Sequence, residues 1–97
     1  MKHLRIMAVC GFGLGSSLVL RMTVDEVLKR RQIKAETFCS DADTAMGQDY
    51  DLVITSAEMK RLFVGVDAPV IVIDNFLDSD EVEEKTLPAI HRLMTGE

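Results

Sequence analysis

The sequence lacks any apolar run near the roughly 20 residues that a membrane span needs, and its N-terminus lacks a signal-peptide pattern. It is also poor in cysteine. Its 2 cysteines form neither a CxxC pair nor a metal-binding pattern. We therefore expect a cytoplasmic protein with reduced thiols. With 97 residues and 47% hydrophobic content, residues 1–97 are expected to form one domain around one core without disulfides.

Basic residues are scarcer than acidic ones. The chain has 11 Lys and Arg against 16 Asp and Glu, which gives a formal net charge of −5. This balance argues against a nucleic-acid surface, since phosphate backbones are bound by clustered cations. The run Lys29-Arg30-Arg31 is interpreted as the end of a helix, where the helix dipole favours cations.

The most informative stretch runs from Cys10 to Ser17 and reads Cys-Gly-Phe-Gly-Leu-Gly-Ser-Ser. It follows the apolar run Leu4–Val9, which predicts a strand buried on both faces, and precedes a helical pattern over Ser16–Arg31. Alternating glycines allow a tight turn with inward N–H groups, and a helix N-terminus adds a positive dipole end. The pattern predicts an anion cradle that suits phosphate. Its candidate phosphate-binding residues are Gly11, Phe12, Gly13, Leu14, Gly15, Ser16 and Ser17.

The two cysteines are interpreted differently. Cys10 opens the cradle at the end of the strand, where converging amides and a helix N-terminus favour the thiolate form. It is therefore the candidate catalytic nucleophile. Cys39 has neither a glycine loop nor a helix start after it, so we expect it to be a small buried hydrophobic residue.

Strand patterns alternate with helical ones along the whole chain. This alternation predicts an α/β fold, specifically a small three-layer α/β/α domain with a four-stranded parallel sheet and the cysteine loop after its first strand. The predicted strands are Leu4–Val9, Ala35–Cys39 (an outer strand), Leu52–Thr55 and Val70–Ile73. The predicted helical segments are Ser16–Arg31, Ser40–Gly47, Ala57–Leu62 and the tail from Ser79. Pro88 either kinks that tail or lies in the first turn of a second helix.

Ligands of such sheets bind beyond the carboxyl ends of strands, at the switch point of strand order. The Cys10 loop is the natural occupant of that point, and the loops around Ser56 and Asp74 are its expected neighbours. Ser56 and Glu58 line the same mouth in one interpretation, whereas in another Ser56 simply caps the segment that follows it.

Arg21 has two interpretations as well. It lies about a turn and a half into the first helix, from which it can lean toward a bound phosphate. Pairing with Asp25 at i, i+4 spacing is favoured, and no catalytic role is assigned to Arg21.

Three known phosphate loops differ from this one. A Walker A loop requires Lys after its last glycine, whereas Ser16 follows Gly15 here. A dinucleotide loop requires GxGxxG spacing, whereas Gly11, Gly13 and Gly15 have GxGxG spacing. Low-molecular-weight cysteine phosphatases and arsenate-reductase-like enzymes resemble the arrangement, but the phosphatase pattern places an Arg six residues after the cysteine, where this chain has Ser16. Without a guanidinium clamp the loop accepts a phosphoryl group more readily than it hydrolyses one. A phosphatase-like enzyme and a redox or regulatory thiol module remain the alternatives.

The stretch Ile6–Ser17 resembles the phosphocysteine loop of enzyme IIB components of the bacterial phosphoenolpyruvate-dependent sugar phosphotransferase system (PTS). It looks most like the ascorbate-type pattern Cys-Gly-x-Gly-x-Gly-Ser-Ser, with galactitol-type and lactose-type IIB as more distant relatives. The resemblance continues through Tyr50–Ser56 and Val72–Leu77 and covers essentially the whole chain. Phe12 departs from the ascorbate type, whose members often carry a polar residue there, so the motif points to the family more specifically than to the sugar.

The resemblance implies a phosphoryl relay. Cys10 would accept the group from a phosphohistidine of enzyme IIA and pass it to a sugar, ascorbate-like or related, held by the membrane enzyme IIC. The protein would then associate with the inner face of the membrane through IIC, and it would need no metal and no cofactor. Phe12 and Leu14 would suit docking against the two partners, or else tuck onto the sheet.

Overall fold

The computed structural model describes residues 4–10, 14–45 and 47–95. In this part of the chain, strands and helices alternate as the sequence predicts. The strands are β1 (Leu4–Val9), β2 (Ala35–Ser40), β3 (Leu52–Thr55) and β4 (Val70–Val72). The helices are α1 (Leu14–Arg30), α2 (Ala42–Ala45) and α3 (Ser79–Thr95), with a 3-10 helix at Lys60–Phe63.

The four strands form one parallel sheet in the order β2-β1-β3-β4. β2 lies at an edge, which confirms its predicted outer position. In the register of the sheet, Val9 pairs with both Ser40 of β2 and Thr55 of β3. The chain moves to one side of β1 through α1 and to the other side at β3, so the switch point of strand order lies at the carboxyl ends of β1 and β3.

Helical segments cover both faces of the sheet, as predicted for three layers. On one face, Ile6 and Ala8 of β1 pack in the core shared with α1 and α3. On the other face, Met7 and Val9 pack with Ala45 of α2 and with the 3-10 helix. β1 and β3 are therefore buried on both sides, which explains why their sequences are apolar apart from the half-buried Arg5 in β1 and Thr55 at the end of β3. None of the helices in the described residues combines the length and apolarity that a membrane crossing requires.

α1 starts two residues earlier than the sequence predicts. The prediction gave Gly15 to the loop, whereas the structure has Leu14 and Gly15 in the first turn. Glycine in a helix costs about 1 kcal/mol relative to alanine. Burial of residues on the inner face of the 17-residue helix outweighs that cost.

α1 also ends one residue earlier than predicted. Gln32 has a φ of 56°, and the Ile33 N–H donates to the carbonyl of Leu28 at 2.9 Å. This left-handed cap stops the helix at Arg30.

α3 is one helix, Ser79–Thr95, that runs through Pro88. The alternative of a second helix that starts near Pro88 is therefore wrong. Asp78 precedes the helix, and its Oδ1 accepts from the N–H groups of Asp80 (3.1 Å) and Glu81 (3.2 Å). This side-chain cap satisfies donors of the first turn.

Candidate active site

Cys10 lies directly after β1, at the carboxyl edge of the sheet, and is 2% exposed. The strand pairing that ends at Val9 and Thr55 brings Ser56, the residue after β3, to the same edge. Thr55 Oγ1 donates a buried hydrogen bond of 2.8 Å to the carbonyl oxygen of Val9. This bond joins the ends of the two strands immediately before Cys10, so the position of the cysteine is fixed by the sheet.

The N-terminus of α1 lies four residues after Cys10. Its first turn contains Gly15, Ser16 and Ser17, of which Ser17 is fully buried, and it has no acidic residue. The first four N–H groups of an α-helix have no partner within the helix and form its positive end. Such a terminus suits an anion. The predicted loop residues Gly11, Phe12 and Gly13 lie outside the described residues, and Leu14 is the first residue of the helix.

A cavity of about 410 Å³, here called the Cys10 cavity, opens at this edge. Its described lining comes from the ends of β1, β3 and β4 and from the first turn of α1. The lining residues are Cys10, Ser16, Ser56, Ala57, Glu58, Ile73, Asp74 and Phe76. The structure thus brings the predicted neighbours of the cysteine together. None of these residues is basic, so the lining offers hydroxyl and N–H groups, but no guanidinium, to an anion.

Ser56 does not act as a helix cap, contrary to one of its two predicted roles. The 3-10 helix starts after Met59 without any side-chain cap bond. The carbonyl of Ser56 accepts from the N–H groups of Met59 and Lys60, both at 3.1 Å, so the main chain alone makes the turn. The hydroxyl of Ser56 is shielded from solvent and has no hydrogen-bond partner.

Arg21 is held away from the cavity. Its Nε donates to Thr37 Oγ1 at 3.1 Å and lies 3.8 Å from Asp25 Oδ2. Thr37 Oγ1 in turn donates to Asp25 Oδ1 at 2.6 Å. The predicted pairing with Asp25 is confirmed. The bonds that both side chains make with Thr37 fasten α1 to β2.

Glu81 holds the loop after β4, which forms one wall of the cavity. Its carboxylate accepts from the N–H groups of Asp74 (2.7 Å) and Asn75 (2.9 Å). Lys85 Nζ donates to Glu81 at 2.6 Å and lies 3.7 Å from the carboxylate of Asp74. The N–H of Asp74, followed by Lys85, lowers the pKa of Glu81 below its usual value.

The role of Glu81 was missed in the sequence, although a signal exists. Asp78 and Glu81 have the spacing of a capping box, in which the glutamate normally turns back to the cap residue. Here it reaches the preceding loop instead. Thr23, also missed, donates from Oγ1 to the carbonyl of Phe76 at 2.6 Å and fastens the same loop to α1.

Cys39 takes no part in the described lining of the cavity. It lies on the edge strand β2 opposite Ala8, and it is half-buried rather than buried as expected. Within residues 4–10, 14–45 and 47–95, no three His, Cys, Asp or Glu side chains are grouped so that they can hold a metal ion. A larger concavity, of about 580 Å³, lies where α1 leads into β2. Its described lining has no cysteine, serine or threonine and mixes Lys29 and Lys34 with Asp25 and Glu36.

Comparison with known proteins identifies the family. A family model described as "PTS system, Lactose/Cellobiose specific IIB subunit" matches residues 5–86, from β1 into α3. The chain belongs to this family. It is thus a IIB component of a sugar phosphotransferase system, and such components are phosphotransferases that work with other proteins of the system.

Two individual proteins are similar to this IIB subunit over most of their length. The ascorbate-specific PTS system EIIB component of Mycoplasma pneumoniae is 26% identical over 86 residues, which cover 86% of this chain and 90% of the relative. The lactose-specific IIB component domain from Streptococcus pneumoniae matches in structure with a TM-score of 0.56 at 16% identity, over 97% of each chain. The structural match supports the fold, and the predicted family is confirmed by the family model.

Proposed function

We propose that Cys10 is the phosphoryl acceptor of this IIB subunit and that it carries the group as phosphocysteine. One observation supports this most strongly: the cysteine lies at the carboxyl end of β1, in a cavity shared with Ser16 of the first turn of α1. The proposed phosphate-binding residues are Gly11, Phe12, Gly13, Leu14, Gly15, Ser16 and Ser17.

The proposed donor is a phosphohistidine of enzyme IIA. The Cys10 thiolate attacks phosphorus in line with the histidine nitrogen, so that the S–P bond forms as the N–P bond breaks. The departing imidazole nitrogen takes up one proton, which balances the proton that the thiol has lost. N–H groups at the start of α1 and the hydroxyls of Ser16 and Ser17 stabilise the phosphoryl oxygens during the transfer.

The chemistry of the cavity favours a carrier over a hydrolase. Its described lining has no arginine or lysine to clamp the transferring group, and it includes the carboxylates of Glu58 and Asp74. Two carboxylates supply none of the cationic stabilisation that a guanidinium clamp gives to phosphoryl transfer to water. The proposed acceptor is a sugar held by the membrane enzyme IIC, so the subunit would work in the cytoplasm at the inner face of the membrane. No metal or cofactor takes part in this scheme.

We propose an ascorbate-like carbohydrate as the sugar. The spacing of Cys10, its three following glycines and the two serines supports this choice, as does the similarity to the ascorbate-specific relative. Vesicles that contain an ascorbate-type IIC should phosphorylate ascorbate in the presence of the charged subunit. Phosphorylation of lactose or cellobiose instead, by the corresponding IIC, would contradict the proposed sugar.

The relay itself is tested by incubating the subunit with phosphoenolpyruvate, the general phosphotransferase proteins and candidate IIA proteins, followed by intact-mass measurement. Wild type and Cys39→Ser should each gain one phosphoryl group, and Cys10→Ser should gain none. Cys39→Ser is the matched control, because it removes the other free thiol from outside the cavity. Equal charging of Cys10→Ser, or release of phosphate from an aryl phosphate without charging, would contradict the relay.

A further inference from the structure

We propose that Ser56 is an additional phosphoryl-binding residue, whose hydroxyl donates a hydrogen bond to an oxygen of the phosphocysteine. This inference rests on the proposed function of Cys10. It adds a contact from β3, across the cavity from the first turn of α1.

The main chain fixes Ser56 next to Cys10. Val9 and Thr55 are paired in register, so the two residues that follow them leave the sheet side by side. The Thr55 Oγ1 bond to the Val9 carbonyl holds the two strand ends together at 2.8 Å. On its other side, the carbonyl of Ser56 accepts two N–H groups from the following turn. The side chain therefore stands at a set position in the cavity wall.

The hydroxyl of Ser56 is left without a partner at this position. Across the described residues, two buried side-chain polar atoms have no hydrogen-bond partner, Ser56 Oγ and Thr86 Oγ1. Buried hydroxyls are nearly always bonded, because an unmade bond is unfavourable. Thr86 lies in the apolar face of α3, 1% exposed and away from the described lining of the cavity, whereas Ser56 lines the cavity that contains the nucleophile.

A phosphoryl group on Cys10 supplies the missing partner. The structure has no hydrogen bond between Ser56 and the sulfur itself. Phosphorylation places three charged acceptor oxygens beyond that sulfur, within the cavity, and hydrogen bonds to charged acceptors are the stronger ones. Glu58 and Asp74 beside Ser56 offer carboxylates, which repel the dianion. Ser56 is therefore the side-chain donor that the turn after β3 presents to the group, in the same cavity as Ser16 of α1.

The test compares Ser56→Ala with Thr86→Val, which removes the other unpartnered buried hydroxyl. Charging from a IIA donor should be about tenfold or more slower in Ser56→Ala, since a hydrogen bond to a charged group is lost. Thr86→Val should charge at the wild-type rate. Ser56→Thr, which keeps the hydroxyl, should recover most of the rate.

A second readout concerns the phosphoryl group directly. A donor bond stabilises the dianion, so its loss should raise the second pKa of the phosphocysteine in a phosphorus NMR titration of charged Ser56→Ala. The phosphocysteine of charged Thr86→Val should titrate like that of wild type, because the hydroxyl lost there lies away from the described lining of the cavity.

The outcomes separate the two proposals. If no IIA charges wild type, the proposed function fails. If wild type is charged, and Ser56→Ala matches it in both rate and titration, the role of Ser56 is overturned while that of Cys10 stands. Equal changes in Ser56→Ala and Thr86→Val would likewise overturn the role of Ser56, because they would show a general effect on the fold.

Discussion

At the residue scale, the site combines Cys10 at the end of β1, the first turn of α1 and the unpartnered hydroxyl of Ser56. The apolar run before the cysteine and the glycines after it predict its place at a strand end beside a helix N-terminus. The unpartnered hydroxyl of Ser56 is hidden, because it depends on how the turn after β3 meets the rest of the cavity. The sequence suggested that Ser56 was near the mouth but offered a helix cap as an equal explanation.

Gly15 is a residue that the fold does not require. It is exposed and has helical backbone, and a Cβ built on it meets no atom of the described residues within 4 Å. Gly15→Ala should therefore raise the free energy of unfolding, by up to about 1 kcal/mol. Charging should be retained, because the backbone N–H groups stay in place. Urea denaturation and the charging assay measure both, and a lower unfolding free energy would contradict the helical placement of this residue.

Thr86 gives a second prediction on stability. Its hydroxyl is buried without a partner, so Thr86→Val replaces it by a methyl group of similar size. We expect the free energy of unfolding to increase by about 1 kcal/mol, measured by urea denaturation. Thr95→Val is a matched control, because the hydroxyl of Thr95 is exposed and donates to the carbonyl of Arg92. A loss of stability in Thr86→Val would show that its hydroxyl is satisfied in solution.

At the scale of elements, the loop after β4 is where the sequence predicted least. Its place beside the cavity was expected from the parallel sheet. The bonds that hold it come from two helices. Thr23 of α1 reaches the loop from far away in sequence, whereas Glu81 of α3 reaches back to the loop that precedes its own helix. Local patterns predict the helices, but they do not reveal a glutamate that bonds the preceding loop in place of its own cap.

Glu81 should make the stability of this loop depend on pH. Its pKa is lowered in the folded protein, so its contribution is full above the unfolded value of about 4.5 and is lost as the pH falls through the lower folded value. Glu81→Gln should be less stable than wild type at neutral pH, and the difference should shrink as the pH falls below about 4.5. Denaturation midpoints across this range measure the effect.

Glu84→Gln serves as the control, since it makes the same chemical change at an exposed position of α3. Its free energy of unfolding should stay within about 0.5 kcal/mol of the wild-type value at neutral pH. A Glu81→Gln difference that did not vary with pH would contradict the bonding of the carboxylate to the loop.

At the scale of the whole molecule, β1 and β3 are the most completely buried strands of the sheet. These two strands each have neighbours on both sides, and they position Cys10 and Ser56. Their apolar runs made them the most predictable strands, and their predicted bounds match the structure. The start of α1 was less predictable, because a glycine favours a loop over a helix when only the local sequence is considered.

Amide hydrogen exchange should reflect this arrangement. We expect the slowest exchange in β1 and β3, with faster exchange in the edge strands β2 and β4, since edge strands open at lower free energy. Exchange followed by NMR under native conditions would measure it. Protection in β2 equal to that in β1 would contradict the order of the strands in the sheet.

Attachment of the phosphoryl group to the sulfur of Cys10 is tested most directly by the phosphorus NMR spectrum of the charged protein. We predict one signal with the shift of a phosphorothioate monoester, present in Cys39→Ser and absent in Cys10→Ser. A signal from a phosphoramidate or an ordinary phosphate ester would place the group on a histidine or a serine. Either result would contradict Cys10 as the acceptor.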